Sequence, residues 1–97
     1  MINKKKIKFG LLGLGTVVRL RIFNLIKNEF KNDIEVVSVF DKDSHKNKEY
    51  AKKFNCINSK NEDDFFLNDF EYCYISTPSG SHYGDILKCF KYNKHVV

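Results

Sequence analysis

The sequence predicts an α/β fold, a parallel sheet with helices packed on both of its faces, and three observations carry that prediction. Short apolar runs alternate with helical patterns along the whole chain, which is the signature of strands joined by crossover helices. The first run breaks into glycines and passes at once into a helix. The runs are rich in β-branched and aromatic residues and nearly continuous in hydrophobicity, as strands buried on both faces require.

The first strand is expected over Ile7 to Leu12, ending in the turn Gly13-Leu14-Gly15. A helix follows from about Thr16 to Lys31, with Val18, Ile22, Leu25, Ile26 and Phe30 on one apolar stripe. Asn32-Asp33 is a turn, and Ile34 to Phe40 is the second strand, ending at Asp41. Asp43-Ser44 offers an N-cap for a helix over His45 to Phe54, whose inner face is narrow: Tyr50, Ala51 and Phe54. A very short strand fits around Cys56-Ile57. Asn61 to Asn68 then reads as a short helix with Phe65, Phe66 and Leu67 turned inward.

Glu71 to Ser76 is the next strand, and Pro78 prevents it from extending. A helix from about Ser81 to Tyr92 carries Tyr83, Ile86, Leu87 and Phe90 at i, i+3, i+4 and i+7, so that stripe is expected to face the core. Asn93 is the expected C-cap, and Lys94 to Val97 begin a fifth strand. The 97 residues are expected to make one domain, 1–97, with a sheet incomplete at its C-terminal side.

Composition narrows the function. The net charge is +5, yet the lysines are spread through the chain among twelve carboxylates and the two arginines, Arg19 and Arg21, share one helix. No basic stripe with interleaved aromatics forms, so nucleic acid is not an expected partner. Nowhere do 18 apolar residues run together, and the positive start Met1-Ile2-Asn3-Lys4-Lys5-Lys6 is followed by a run too short and glycine-broken for a signal peptide. A cytoplasmic protein without a membrane partner is expected. Cys56, Cys73 and Cys89 are odd in number and widely spaced, which argues for buried free thiols over a disulfide framework or a metal site.

The glycine turn is the chemical centre. A strand, a tight turn and a helix N-terminus leave backbone N–H groups and the positive end of the helix dipole aimed at one spot, which suits a phosphate. Gly13-Leu14-Gly15-Thr16-Val17-Val18 matches G-x-G-x-x-G at its first two glycines and places valine at the third. Asp41 ends the second strand, where a carboxylate meets the adenosine ribose hydroxyls and repels a 2′-phosphate. It also suits a plain strand end that starts a turn with Asp43. Lys42 and Lys46 nearby leave NADP open beside NAD. Thr77, Pro78, Ser79 and His82 lie on a stiff turn at the mouth of the fourth strand, facing the glycine loop; the alternative reading is helix capping by Ser79 or Ser81 with His82 in the first helical turn.

The run Lys8 to Gly15, the acidic end at Asp41, the string Tyr74-Ile75-Ser76-Thr77-Pro78-Ser79-Gly80-Ser81-His82-Tyr83 and the closing Lys94-His95-Val96-Val97 together resemble the glucose-fructose oxidoreductase / inositol dehydrogenase / rhizopine catabolism (Gfo/Idh/MocA) family. The resemblance covers essentially the whole chain. It implies an N-terminal Rossmann domain with strand order 3-2-1-4-5, binding NAD, with NADP as the alternative, in a two-domain oxidoreductase acting on a sugar, cyclitol or related alcohol. It places Gly13, Leu14, Gly15, Thr16 and Val17 on the pyrophosphate, Asp41 on the adenosine ribose, and Thr77, Pro78, Ser79 and His82 on the nicotinamide side. Val18 departs from the alanine or glycine usual at the third loop position, and a helix set slightly farther from its strand is expected. The family's Glu-Lys-Pro motif and the histidine and acid of its second domain are not in this sequence, so no residue here is assigned as catalyst. A non-catalytic NAD-binding module is the alternative function, and an unfinished edge strand is expected to promote self-association into a homo-oligomer.

Overall fold

A computed structural model describes residues 5–97; the first four residues of the positive start lie outside the described residues. Five parallel strands, β1 (Ile7–Leu12), β2 (Ile34–Phe40), β3 (Ile57–Asn58), β4 (Tyr72–Ile75) and β5 (His95–Val96), form one sheet in the order β3-β2-β1-β4-β5. This is the expected Rossmann-type arrangement, with the first strand at the centre. Among the described residues no helix is long and apolar enough to cross a membrane.

Two cores lie on opposite faces of the sheet, because successive side chains of a strand point to opposite sides. Leu11 serves one core with Val36, Val39 and the inner faces of the first helix and of α1 (Ser44–Phe54). Leu12 serves the other with Phe65 and Phe66 of α2 (Glu62–Phe66), Phe70, Cys73 and Cys89 of α3 (His82–Lys91). The register of β1 against β2 slips between Phe9 and Gly10, which pair with Val36 and Ser38. The extra residue, Val37, lets Val36 and Val39 both reach the first core while Val37 and Phe40 pack on the second.

The helix after the glycine loop spans residues 16–29 and departs from the expected α-helix. Val18–Ile22 and Leu25–Glu29 carry π-type bonds, with Phe23 N–H donating to Val18 O and Phe30 N–H to Leu25 O. A wider turn rotates each residue less, so the inner face recurs at Val18, Ile22 and Ile26, joined by Phe23. Leu25 and Phe30, placed on the stripe by α-helical spacing, are instead exposed. Val18 itself is completely buried.

The ends of α1 follow their local chemistry. The Asp43 carboxylate accepts from the His45 and Lys46 amides, and Asn55 takes the left-handed conformation, φ +54°, that ends the helix. Asn93, φ +59°, does the same beyond α3. Three further sequence expectations are corrected. Leu67 is exposed, because α2 stops at Phe66 and each helical residue turns about 100° from the last, which carries Leu67 away from the face of Phe65.

The second correction concerns α3, where Tyr83, Leu87 and Phe90 face outward and Asp85 and Cys89 face inward. Polar anchors set that rotation: Thr77 donates to Asp85, and Lys88 pairs with Glu62 of α2 at 2.8 Å. Third, Cys56 is only half-buried, whereas Cys73 and Cys89 are enclosed. Between α2 and β4, the Lys94 ammonium donates to the carbonyls of Asn68 and Phe70, both at 2.8 Å, and lies 4.2 Å from the centre of the Phe70 ring. Burial holds its pKa below the ordinary lysine value.

Candidate functional site

The C-terminal ends of β1, β2 and β4 converge on one cleft of about 530 Å³. Its floor is the glycine loop. Gly13 sits at φ +90°, and a Cβ there would lie 2.6 Å from the carbonyl carbon and oxygen of Ser76 and 2.7 Å from the Thr77 nitrogen. Only glycine tolerates both the conformation and the closeness. Its N–H donates to Phe40 O at 2.7 Å, and the Ser76 N–H donates to Leu12 O at 2.8 Å, so the loop is held between the ends of β2 and β4. At Gly15 a Cβ would meet Ser76 Oγ at 2.9 Å.

The first bond of the helix runs from the Arg19 N–H to Gly15 O. The amides of Thr16, Val17 and Val18 thus precede any intrahelical acceptor and form the donor end of the helix.

Asp41, one residue beyond β2, ties the loop to the second strand. Its Oδ2 accepts from the Leu14 N–H at 2.7 Å and its Oδ1 from the Asp43 N–H at 2.8 Å. Its own N–H donates to Asn47 Oδ1 at 3.0 Å. The carboxylate is therefore oriented by two amides and its backbone by a third partner, while Asp41 still lines the cleft. Lys42 and Lys46 border the same space.

On the opposite wall, Thr77 donates through its hydroxyl to Asp85 Oδ2 at 2.5 Å, and its carbonyl lies 2.6 Å from His82 Nε2. Ser81 makes no side-chain bond to the start of α3, so serine capping is not what fixes this turn. Asp85 is 6% exposed, and burial raises its pKa; the Thr77 hydroxyl opposes that rise and the nearby Glu62 charge adds to it.

The structure brings Gly13, Gly15, Asp41, Thr77 and Pro78 together around the cleft. Leu14 contributes its amide, its side chain being wholly buried. Thr16, Val17 and Ser79 are exposed outside the lining, and His82 turns onto the Thr77 carbonyl outside it. Glu62, Ser76 and Asp85 line the cleft and were missed. The one sequence signal for Asp85 is a carboxylate four residues before Cys89 on an otherwise apolar helix face.

A family model described as an oxidoreductase family with an NAD-binding Rossmann fold (Gfo/Idh/MocA) matches residues 7–97. The chain belongs to the Gfo/Idh/MocA family. Similar solved structures include the WlbA dehydrogenase from Bordetella pertussis in complex with NADH and UDP-GlcNAcA, at a TM-score of 0.85 and 20% identity over 95% of this chain. The WlbA dehydrogenase from Chromobacterium violaceum, in complex with the same two ligands, gives 0.82 and 25% over 98%. KijD10, a 3-ketoreductase from Actinomadura kijaniata in complex with TDP-benzene and NADP, gives 0.84 and 18% over 96%. The chain spans 28%, 27% and 29% of the length of those three structures. No curated protein matches it. Within the Gfo/Idh/MocA family, the region described here is the NAD-binding Rossmann fold and its cofactor class is NAD(P).

Proposed function

We propose that this chain is the cofactor-holding part of a Gfo/Idh/MocA oxidoreductase that moves a hydride between NAD and a sugar or related alcohol. The observation that carries the reading is the Asp41 carboxylate clamped on the Leu14 amide beside a glycine loop whose Gly13 has no room for a side chain. The residues present fit a dinucleotide. Gly13 and Gly15 keep the backbone open to a pyrophosphate, the donor end of helix 16–29 favours its charge, and Asp41 offers acceptors to a ribose diol.

The bound nicotinamide supplies the hydride chemistry. The residues of this chain bind and orient it, and none is assigned the proton transfer. A 2′-phosphate beside Asp41 would meet like charge, so NAD is expected to bind about tenfold or more tightly than NADP. The sugar-nucleotide ligands of the two WlbA structures support a sugar-type substrate for the enzyme of which this fold is a part.

Isothermal titration with NAD+ and NADP+ tests the reading, with Gly15→Asp as the probe. An aspartate there meets the rotatable Ser76 Oγ at 2.9 Å and the Ser76 carbonyl oxygen at 3.2 Å, which a shift of a few tenths of an ångström relieves, and carries a negative charge into the pyrophosphate path. The fold should survive and NAD+ affinity should vanish. Retained affinity in Gly15→Asp would overturn the assignment.

A further inference from the structure

The inner stripe of α1 contains a residue that does not belong to an apolar face. Asn47 precedes Tyr50, Ala51 and Phe54 at helical spacing and is 5% exposed, as enclosed as they are. A buried amide must find partners for both of its ends. The Asn47 Oδ1 accepts the Asp41 N–H at 3.0 Å, and its Nδ2 donates to Ser59 O at 3.0 Å.

The bonding continues inward. Ser59 Oγ lies 2.5 Å from Ser38 Oγ on β2, and Asn68 Nδ2 donates to that same Ser38 Oγ at 3.2 Å. A buried polar thread thus runs from the turn after α2, across the ends of β2 and β3, to Asp41, and Asp41 passes it on to the Leu14 amide.

We propose that Asn47 is a positioning residue for dinucleotide discrimination. It satisfies the Asp41 backbone N–H from below and ties it to the segment after β3, which fixes the direction of the carboxylate toward the glycine loop and the ribose. The inference rests on the NAD reading above. It adds that NAD is told from NADP by the anchoring of Asp41 as well as by its charge.

The test is made on the 97-residue chain with Asn47→Ala, well below its melting temperature. Amide hydrogen exchange is followed by NMR without ligand, and NAD+ and NADP+ affinities by titration. The Leu14 amide is expected to lose protection about tenfold beyond the loss at the other β1 amides, as one hydrogen bond upstream is removed. The ratio of NAD+ to NADP+ affinity should fall several-fold. Ala51→Gly, on the same helix face but outside the thread, is the control: it should lower the melting temperature and leave both readouts at the wild-type values.

If Leu14 protection falls only in step with the rest of β1, and the affinity ratio stays at the wild-type value, Asn47 is merely structural and the proposal is wrong. Should Asn47→Ala fail to fold, Asn47→Ser, too short to reach the Asp41 N–H, carries the same readouts. A wild-type chain that binds neither dinucleotide overturns the cofactor reading instead, and the exchange at Leu14 still decides the role of Asn47.

Discussion

Replacing Gly13 by alanine measures how tightly the two halves of the sheet close on the glycine loop. Two costs add. The backbone at φ +90° lies where an L side chain is strained, at about 1–2 kcal/mol. The new Cβ would also stand 2.6 Å from backbone atoms of Ser76, where ordinary contact begins at 3.4 Å. The end of β4 would have to withdraw by most of an ångström, and no rotamer relieves a backbone clash. Overpacking of that kind costs about 1–3 kcal/mol. A total near 3 kcal/mol in a domain of this size lowers the melting temperature by about 12–24 °C. Gly84→Ala on α3 is the counterpart: a Cβ there meets nothing within 4 Å, so the melt should rise by a few degrees. Circular dichroism melts of both variants beside the wild type make the comparison. A Gly13→Ala melt within about 3 °C of wild type would refute the argument that β4 bears directly on this loop.

Two more outcomes follow from buried titratable groups. Burial raises the Asp85 carboxyl above its ordinary 3.8, so the stability tied to it is complete below that pH and is lost as pH climbs through the raised native value. Asp85→Asn, which still accepts from Thr77, should therefore be more stable than wild type at pH 7, by a margin that shrinks on acidification. Urea unfolding from pH 7 down to pH 4 reads the margin, and a constant one contradicts the reasoning. Among the thiols, Cys73 and Cys89 are enclosed and the Cys56 pKa is pushed up to about 12 by burial. The native chain at pH 7.5 should give no fast reaction with a disulfide reagent, and all three cysteines should react in urea; one rapid thiol in the native state would show that a site is open.

What the sequence made legible is what local chemistry decides. The glycine loop, the acidic end of β2, the proline that stops β4 and the asparagine that closes α3 each act within a few residues of their own position. The strand order came with the resemblance and stands. The rotation of α3 was illegible because its inner face is chosen by partners distant in sequence: Thr77 draws in Asp85, and Cys89 joins Cys73 in the second core. Periodicity, which counts only apolar residues, instead selected Tyr83, Leu87 and Phe90. The same rule passed over Asn47, whose place on the inner face depends on the Asp41 amide and the Ser59 carbonyl. The π-type turns of helix 16–29 left no mark in composition, and they displaced Leu25 and Phe30 from the stripe.

The central place of the first strand has a consequence for how the protein comes into being. On the ribosome the glycine loop is made long before Ser76 and Thr77, the backbone on which it rests. Until β4 docks beside β1, the turn at Gly13 has only the Phe40 carbonyl and the Asp41 carboxylate, at the end of β2, to hold it. The cleft is thus born late, from two segments far apart in the sequence. A dinucleotide that binds only the closed form would act on the nascent molecule as a latch, drawing the folding equilibrium toward completion by mass action. In a cell, the supply of cofactor would then help set how much of this protein reaches its finished state.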